Sequence, residues 1–234
     1  MRKIVIQNDN QKGESPYRIL SEKPIYSPAL FQYLDSRKIP HDLAHRYLKQ
    51  VYFLHRGSGK RIFGVGFKTR SGSYDIRNPY GFKTMIGPKD ISVIKGSNPY
   101  GIIHVFEGVF DFLSWLVLNQ VNHPKADILV LNSTSLYNQA ANFVRAGNYD
   151  QAILWQDNDL AGQKFVDAFL DELQQHSLTI SSMCQAYQGF DDLNQFLYDQ
   201  DSSLQTKRDA LTGLPKILQH GPNPSEPQTH NTLS

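Results

Sequence analysis

The sequence predicts an α/β fold in which a parallel sheet flanked by helices is preceded by a small α+β subdomain. Two patterns and one asymmetry carry that reading. From residue 102 onward, apolar strands alternate strictly with helical segments, the signature of a buried parallel sheet covered on both faces. Residues 51–95 instead break into short β-rich pieces separated by GSG, SGS, NPYG and GPKD turns, which points to a small antiparallel sheet. The charge divides near the same place: residues 1–100 hold 18 Lys/Arg against 7 Asp/Glu, and residues 101–234 hold 6 against 15.

Residues 1–27 read as an N-terminal extension, polar and frayed to about residue 15. Two short helices follow between about 28 and 50, broken at Ile39-Pro40 because proline cannot continue a helix. Leu30, Tyr33 and Leu34 share one helical face, and Leu43, Tyr47 and Leu48 the next. With the small sheet they make a basic subdomain over 28–100.

The catalytic-domain candidate spans 101–219. Its strands are IIHVFE, DILVLN, AILWQD and LTISSMCQA, and its helices VFDFLSWLVLNQ, SLYNQAANFVRA and AGQKFVDAFLDELQQ. Two further helices are expected, DDLNQFLYDQ and LQTKRDALTGLPKILQH, and then a Pro-rich disordered tail over 220–234. In the helix VFDFLSWLVLNQ, Phe110, Trp115 and Leu118 read as core.

Several function classes drop out. No stretch approaches the roughly 20 apolar residues of a membrane span, and the N-terminus lacks a secretory signal, so a cytoplasmic protein with no membrane partner is expected. Cys184 is the single cysteine; it excludes an internal disulfide or a cysteine-based zinc site in this chain and reads as core filling. The charge halves of +11 and −9 suit a surface that attracts polyanions beside a site that concentrates carboxylates.

Ligands of open parallel sheets collect at the carboxyl ends of the strands, and here those ends are acidic. The first strand ends at Glu107, with Gly108 at the turn and Asp111 at i+4. The third ends in Asp157-Asn158-Asp159, followed by Ala161-Gly162 and a helix start. A single DxD is more often a helix N-cap than a metal site. An EGxxD and a DxDxAG, each at a strand-to-helix junction and 50 residues apart, are much harder to obtain by accident. Converging carboxylates without a basic neighbour call for a hard cation, and oxygen ligands suit Mg²⁺, with Mn²⁺ as an alternative.

FEGVFD at 106–111 and WQDNDLAG at 155–162 resemble the two hallmark motifs of the TOPRIM domain, shared by topoisomerases, primases, OLD-type nucleases, RecR recombination proteins and a ribosomal-RNA maturase. The resemblance implies Glu107 as acid, base or metal ligand, and Asp157 and Asp159 as a divalent-metal pair. LNSTS at 131–135 resembles the small-residue turn of primase-type members, with Asn132 where glycine is more usual. GFDDLNQFL at 189–197 resembles the acidic element after the next strand, with Asp191 or Asp192 as an additional metal-facing carboxylate.

The front half narrows the resemblance to the catalytic core of bacterial and mobile-element primases of the Bacteroidetes type. LFQYLDSRKIPHDLAHRYLKQVYF is similar to the segment that opens that core, with Arg37-Lys38 in place of Arg-Gly, and YDIRNPYGFKTMIGPKDIS to the β-rich piece before the TOPRIM sheet. Together the matches cover about residues 28–200. They imply that Arg61, Lys68, Arg70, Arg77, Lys83 and Lys89 line a groove for single-stranded DNA and nucleoside triphosphates. Tyr74, Tyr80 and Phe82 would either stack on bases or fill the small sheet's core. The zinc-binding module and the helicase-binding domain of such primases have no counterpart in these residues. A separate zinc-module protein or a helicase is therefore an expected partner, unless the chain is a fragment or the job differs.

What the resemblance implies is a magnesium-dependent, primase-like nucleotidyltransferase making short primers in replication, a mobile element being one setting. The alternatives are a metal-dependent nuclease on DNA or RNA and a non-catalytic nucleic-acid-binding module. Two weaker signals are set aside. RGSGKR at 56–61 lacks the first glycine and the Ser/Thr of a phosphate loop and reads as a hairpin turn. His41 and His45 lack the glutamate of HExxH.

Overall fold

The computed structural model describes residues 15–97, 101–213 and 215–219. Its first sheet is antiparallel, with strands β1 (Tyr17–Lys23), β2 (Leu48–His55), β3 (Arg61–Lys68), β4 (Tyr74–Arg77) and β5 (Lys83–Ile86) in the order β1-β2-β3-β4-β5. Helices α1 (Pro28–Ser36) and α2 (His41–Tyr47) connect β1 to β2 and break where Ile39-Pro40 predicts. RGSGKR is the β2–β3 hairpin turn, closed by the His55 N–H donating to the Lys60 carbonyl at 2.9 Å. Strand β1 lies inside the stretch read as an extension. Its alternate residues are half-buried, and it pairs along β2 from Tyr17 opposite His55 to Lys23 opposite Gln50. The remainder of the expected extension, 1–14, and the expected tail, 220–234, lie outside the described residues.

The second sheet is mixed. Its strands are β6 (Ser92–Ile94), β7 (Ile102–Phe106), β8 (Asp127–Val130), β9 (Gln151–Trp155), β10 (Thr179–Ser182) and β11 (Lys216–Gln219), ordered β11-β10-β9-β7-β8-β6. The four central strands are parallel, as expected, while β6 and β11 pair antiparallel at the edges. Helices α3 (Val109–Leu118), α4 (Tyr137–Ala146), α5 (Leu160–Leu173), α6 (Leu193–Tyr198) and α7 (Leu204–Leu211) complete the chain. The segment read as one helix over 204–220 therefore divides: α7 stops before Gly213 and Pro215, and the rest returns as β11 beside β10. Proline and glycine end the helix, and the open edge of β10 supplies a pairing partner.

Two cores cover the two faces of this sheet. On one, Val105, Leu129, Leu154 and Ile180 pack with Ala140 and Val144 of α4 and with Phe165, Phe169 and Leu173 of α5. The other joins the subdomains: Leu30, Leu34 and Leu43 from α1 and α2 share a cluster with Phe106, Phe112, Leu116, Phe196 and Leu197. Each such side chain contributes about 1.5–3 kcal/mol on burial. The small sheet is thereby fixed against the parallel sheet. Among the described residues, no helix is long and apolar enough to cross a membrane.

Candidate active site

Connectivity opens a cleft at the carboxyl ends of β7 and β9. These are hydrogen-bonded neighbours, yet β7 runs into α3 on one face of the sheet and β9 into α5 on the other. Loops that diverge from adjacent parallel strands leave a crevice between them. Glu107 directly follows β7, Asp157 follows β9, and the Asp157 N–H donates to Glu107 Oε2 at 3.3 Å. The resulting cleft holds about 650 Å³ and is lined by Glu107, Asp111, Asp157, Asp159 and Asp192 from the parallel-sheet side, and by Arg77 and Lys83 from the small sheet.

Each carboxylate is placed by local chemistry. Asp159 caps α5, its Oδ1 accepting from the Ala161 and Gly162 N–H groups at 2.8 Å, so the N-cap role and a place in the cleft are both realised. Asp192 caps α6 by accepting from the Gln195 N–H. Asp111 is buried in the first turn of α3 and accepts from the Asn194 N–H at 3.3 Å. Gly162 permits the DxD turn: a Cβ there would meet the Asp157 carbonyl oxygen at 2.2 Å. Asn158 holds the following loop, its amide donating to the carbonyls of Tyr187 and Phe190 at 3.0 and 2.9 Å.

The carboxylates repel one another. Desolvation, then Asp111, Glu107, Asp192 and Asp159, pushes the Asp157 carboxyl up to about 9. Burial followed by the Asp192 charge raises Asp111 to about 8. Burial also raises Glu107, although the Asp157 N–H and Lys83 oppose it. Asp157 Oδ1 is buried with no hydrogen-bond partner. An all-oxygen cluster with an orphaned buried oxygen fits a hard divalent cation, with Asp157, Glu107, Asp159 and Asp192 as donors. Among the described residues, no three His, Cys, Asp or Glu side chains are already drawn into a metal-binding group, so a cation would have to gather them.

Residues 104–197 match a family described as Toprim-like, and residues 19–87 match a domain of unknown function (DUF8464). The chain carries a Toprim-like domain. The zinc-binding and RNA polymerase domains of the Aquifex aeolicus primase share its fold at a TM-score of 0.55 and 13% identity, over 84% of this chain and 58% of that one. The primase fragment of the bacteriophage T7 primase-helicase protein aligns at 0.48 and 21%, over 69% of this chain and 66% of that one. A DNA primase domain from Pseudomonas aeruginosa aligns at 0.49 and 14%, over 80% and 72%. This chain thus spans just under two thirds of the T7 fragment. No curated protein matches it in sequence.

Around the Toprim-like domain, the sequence-derived residues separate. Glu107, Asp111, Asp157, Asp159, Asp192, Arg77 and Lys83 meet in the cleft. Asp191 does not line it: its side chain is exposed and its carbonyl accepts from the Asn158 N–H at 2.7 Å. Arg61, Lys68, Arg70 and Lys89 do not line it either. Lys68 lies 3.9 Å from Glu22 and Arg70 3.6 Å from Asp90, while Arg61 opens β3 beside the hairpin turn and Lys89 is exposed beyond β5. Tyr74 is buried with its hydroxyl on Glu22, which excludes stacking on a base. Phe82 packs against Tyr17 and Phe53 while touching the cleft.

Arg37, Tyr33 and Asn132 also line the cleft, and none was singled out as a site residue. Arg37 donates to Asn194 Oδ1 at 3.1 Å and lies within 6 Å of the Tyr33, Phe110 and Tyr198 rings. Asn194, fully buried, returns its amide to the Arg37 carbonyl at 3.0 Å and to Ser114 Oγ at 2.9 Å. Asn132 has φ of 63°, the left-handed region. That explains why glycine is the usual residue there and why asparagine, which tolerates that region, serves in its place.

Proposed function

We propose that the chain is a primase-like nucleotidyltransferase that joins nucleotides into short primers on single-stranded DNA. The observation that carries this reading is the meeting, in one cleft, of a carboxylate floor from the Toprim-like domain and the Arg77 and Lys83 wall of the small sheet. A phosphodiester is made where a triphosphate and a strand end lie side by side, and both are polyanions. Arg37, Arg77 and Lys83 would bind their phosphates, each contact releasing counterions. A divalent cation held by Asp157, Asp159 and Asp192 would supply charge neutralisation for the triphosphate.

In the reaction, the 3′-oxygen forms a bond to the α-phosphorus of the incoming nucleotide, the bond from that phosphorus to the bridging oxygen breaks, and pyrophosphate leaves. Glu107, at the end of β7 and beside Asp157, would accept the hydroxyl proton or serve instead as a ligand to a second cation. The fold shared with the Aquifex primase across both subdomains supports the same reading. A separate zinc-module protein or a helicase would help select the template.

The test incubates labelled nucleotides with the protein, Mg²⁺ or Mn²⁺ and single-stranded DNA, beside Asp157→Asn. Short products present only with the native chain are expected. No product, even with a zinc-module protein added, would sink the proposal, and a cut template would replace synthesis by hydrolysis.

A further inference from the structure

Tyr80 and Leu160 are the two most exposed large hydrophobic side chains among the described residues, at 83% and 81%. Neither lines the cleft, but each is flanked on both sides in sequence by residues that do. Tyr80 lies between the cleft-lining Pro79 and Gly81 on the β4–β5 turn, and Leu160 between the cleft-lining Asp159 and Ala161 at the start of α5. One comes from the small sheet and the other from the Toprim-like domain.

The turn that carries Tyr80 is held rigid. Asn78, buried, accepts from the Tyr80 and Phe82 N–H groups at 3.0 and 3.2 Å through its side-chain oxygen, and its own N–H donates to the Phe82 carbonyl at 3.2 Å. Pro79 restricts the backbone before the tyrosine, and Gly81 follows at φ 73°. A ring presented on such a turn loses little freedom on binding a planar partner. The chemistry beside it names that partner. The cations Arg37, Arg77 and Lys83 and the carboxylate floor suit a phosphate chain, and what a phosphate chain carries outward is a base with two apolar faces.

We infer that Tyr80 stacks on an unpaired nucleobase of the strand or nucleotide bound in the cleft, with Leu160 as the apolar surface of the opposite wall. This rests on the proposed nucleic-acid function and adds to it a contact that reads bases, where Arg77 and Lys83 read phosphates.

The experiment measures binding of a fluorescent oligo-dT strand and of an abasic strand of equal length, by anisotropy over a range of salt, with the full chain. Tyr80→Ala is expected to weaken oligo-dT binding about 5- to 150-fold, the range that loss of one stacked base gives. It should leave abasic binding and the salt slope unchanged, and Tyr80→Trp should restore oligo-dT binding. Leu160→Ser should lower oligo-dT affinity in the same base-dependent way. Equal loss on both strands, native-like binding by Tyr80→Ala, or no binding by the native chain would each overturn the inference. The primase reading fails separately, through absence of product: a chain that binds bases through Tyr80 yet joins no nucleotides would keep the stacking and lose the synthesis.

Discussion

The floor and the wall of the cleft are built in opposite ways. On the floor, Asp111 is buried, Asp157 keeps an unpartnered buried oxygen, and backbone N–H groups donate to Glu107 and Asp111. On the wall, Lys83 is exposed, and only Arg77 is tied down, by Asp75 at 2.7 Å. Carboxylates crowded at the ends of two strands repel one another, and a cation that gathers them relieves the repulsion. A solvated cation on a strand end costs little to hold and meets an anion arriving from water. On the proposed function, the cation would go to the floor and the phosphates to the wall.

The largest effect should come from the floor. Asp157→Asn is expected to lower metal-dependent synthesis by about a thousandfold or more, because a charge that the reaction needs in a water-poor site is removed; product yield per enzyme measures it. The same variant should gain stability without metal. Asp157 is raised to about 9 from an ordinary carboxylate value near 3.8, so the folded chain holds protons that the unfolded chain has lost between those values. Ionising the cluster therefore costs stability as pH rises from about 4 to about 9. In chelator, the native protein should melt higher at pH 6 than at pH 9, by about 5 °C or more. Mg²⁺ or Asp157→Asn should flatten that dependence.

The wall contributes next, through stability. Arg77→Ala would leave Asp75 buried and unpaired, a loss of about 3–5 kcal/mol measurable by denaturant unfolding. Asp75 is already pushed up to about 6 by burial, against the pull of Arg77 and Lys83. Gly162→Ala should cost about 1–3 kcal/mol, since its Cβ would press on the Asp157 carbonyl, and should reduce metal affinity with it. Lys83→Ala should lower the salt slope of strand binding by about one. Arg61→Ala, outside the cleft, should change binding less than twofold, the ordinary size of an effect from a remote solvated charge; a loss equal to that of Lys83→Ala would mean that the basic surface extends along β3.

The parallel sheet and its acidic ends were legible because a strand buried on both faces must be apolar throughout, and a carboxylate at its end then stands out. Strand β1 was not, because YRILSEK has few apolar residues and rests on pairing with β2 rather than on its own pattern. Strand β11 depends likewise on the open edge of β10. For Arg37 and Asn194, the obstacle is distance along the chain: they meet across 157 residues. The spacing of Arg61, Lys68, Arg70 and Lys89 shows their charge but not which end of the sheet they face, and of the six cations expected in the groove Arg77 and Lys83 alone line the cleft. Asp191 and Asp192 are adjacent, and capping of α6 decides between them by turning Asp192 inward.

Calorimetric titration of Mn²⁺ into the metal-free chain near pH 7.5, beside Asp157→Asn and Lys83→Ala, tests the central claim most directly. A divalent-cation site on the carboxylate floor predicts saturable binding by the native chain and by Lys83→Ala, with that binding lost in Asp157→Asn. Native-like binding by Asp157→Asn, or no binding by the native chain, would contradict it.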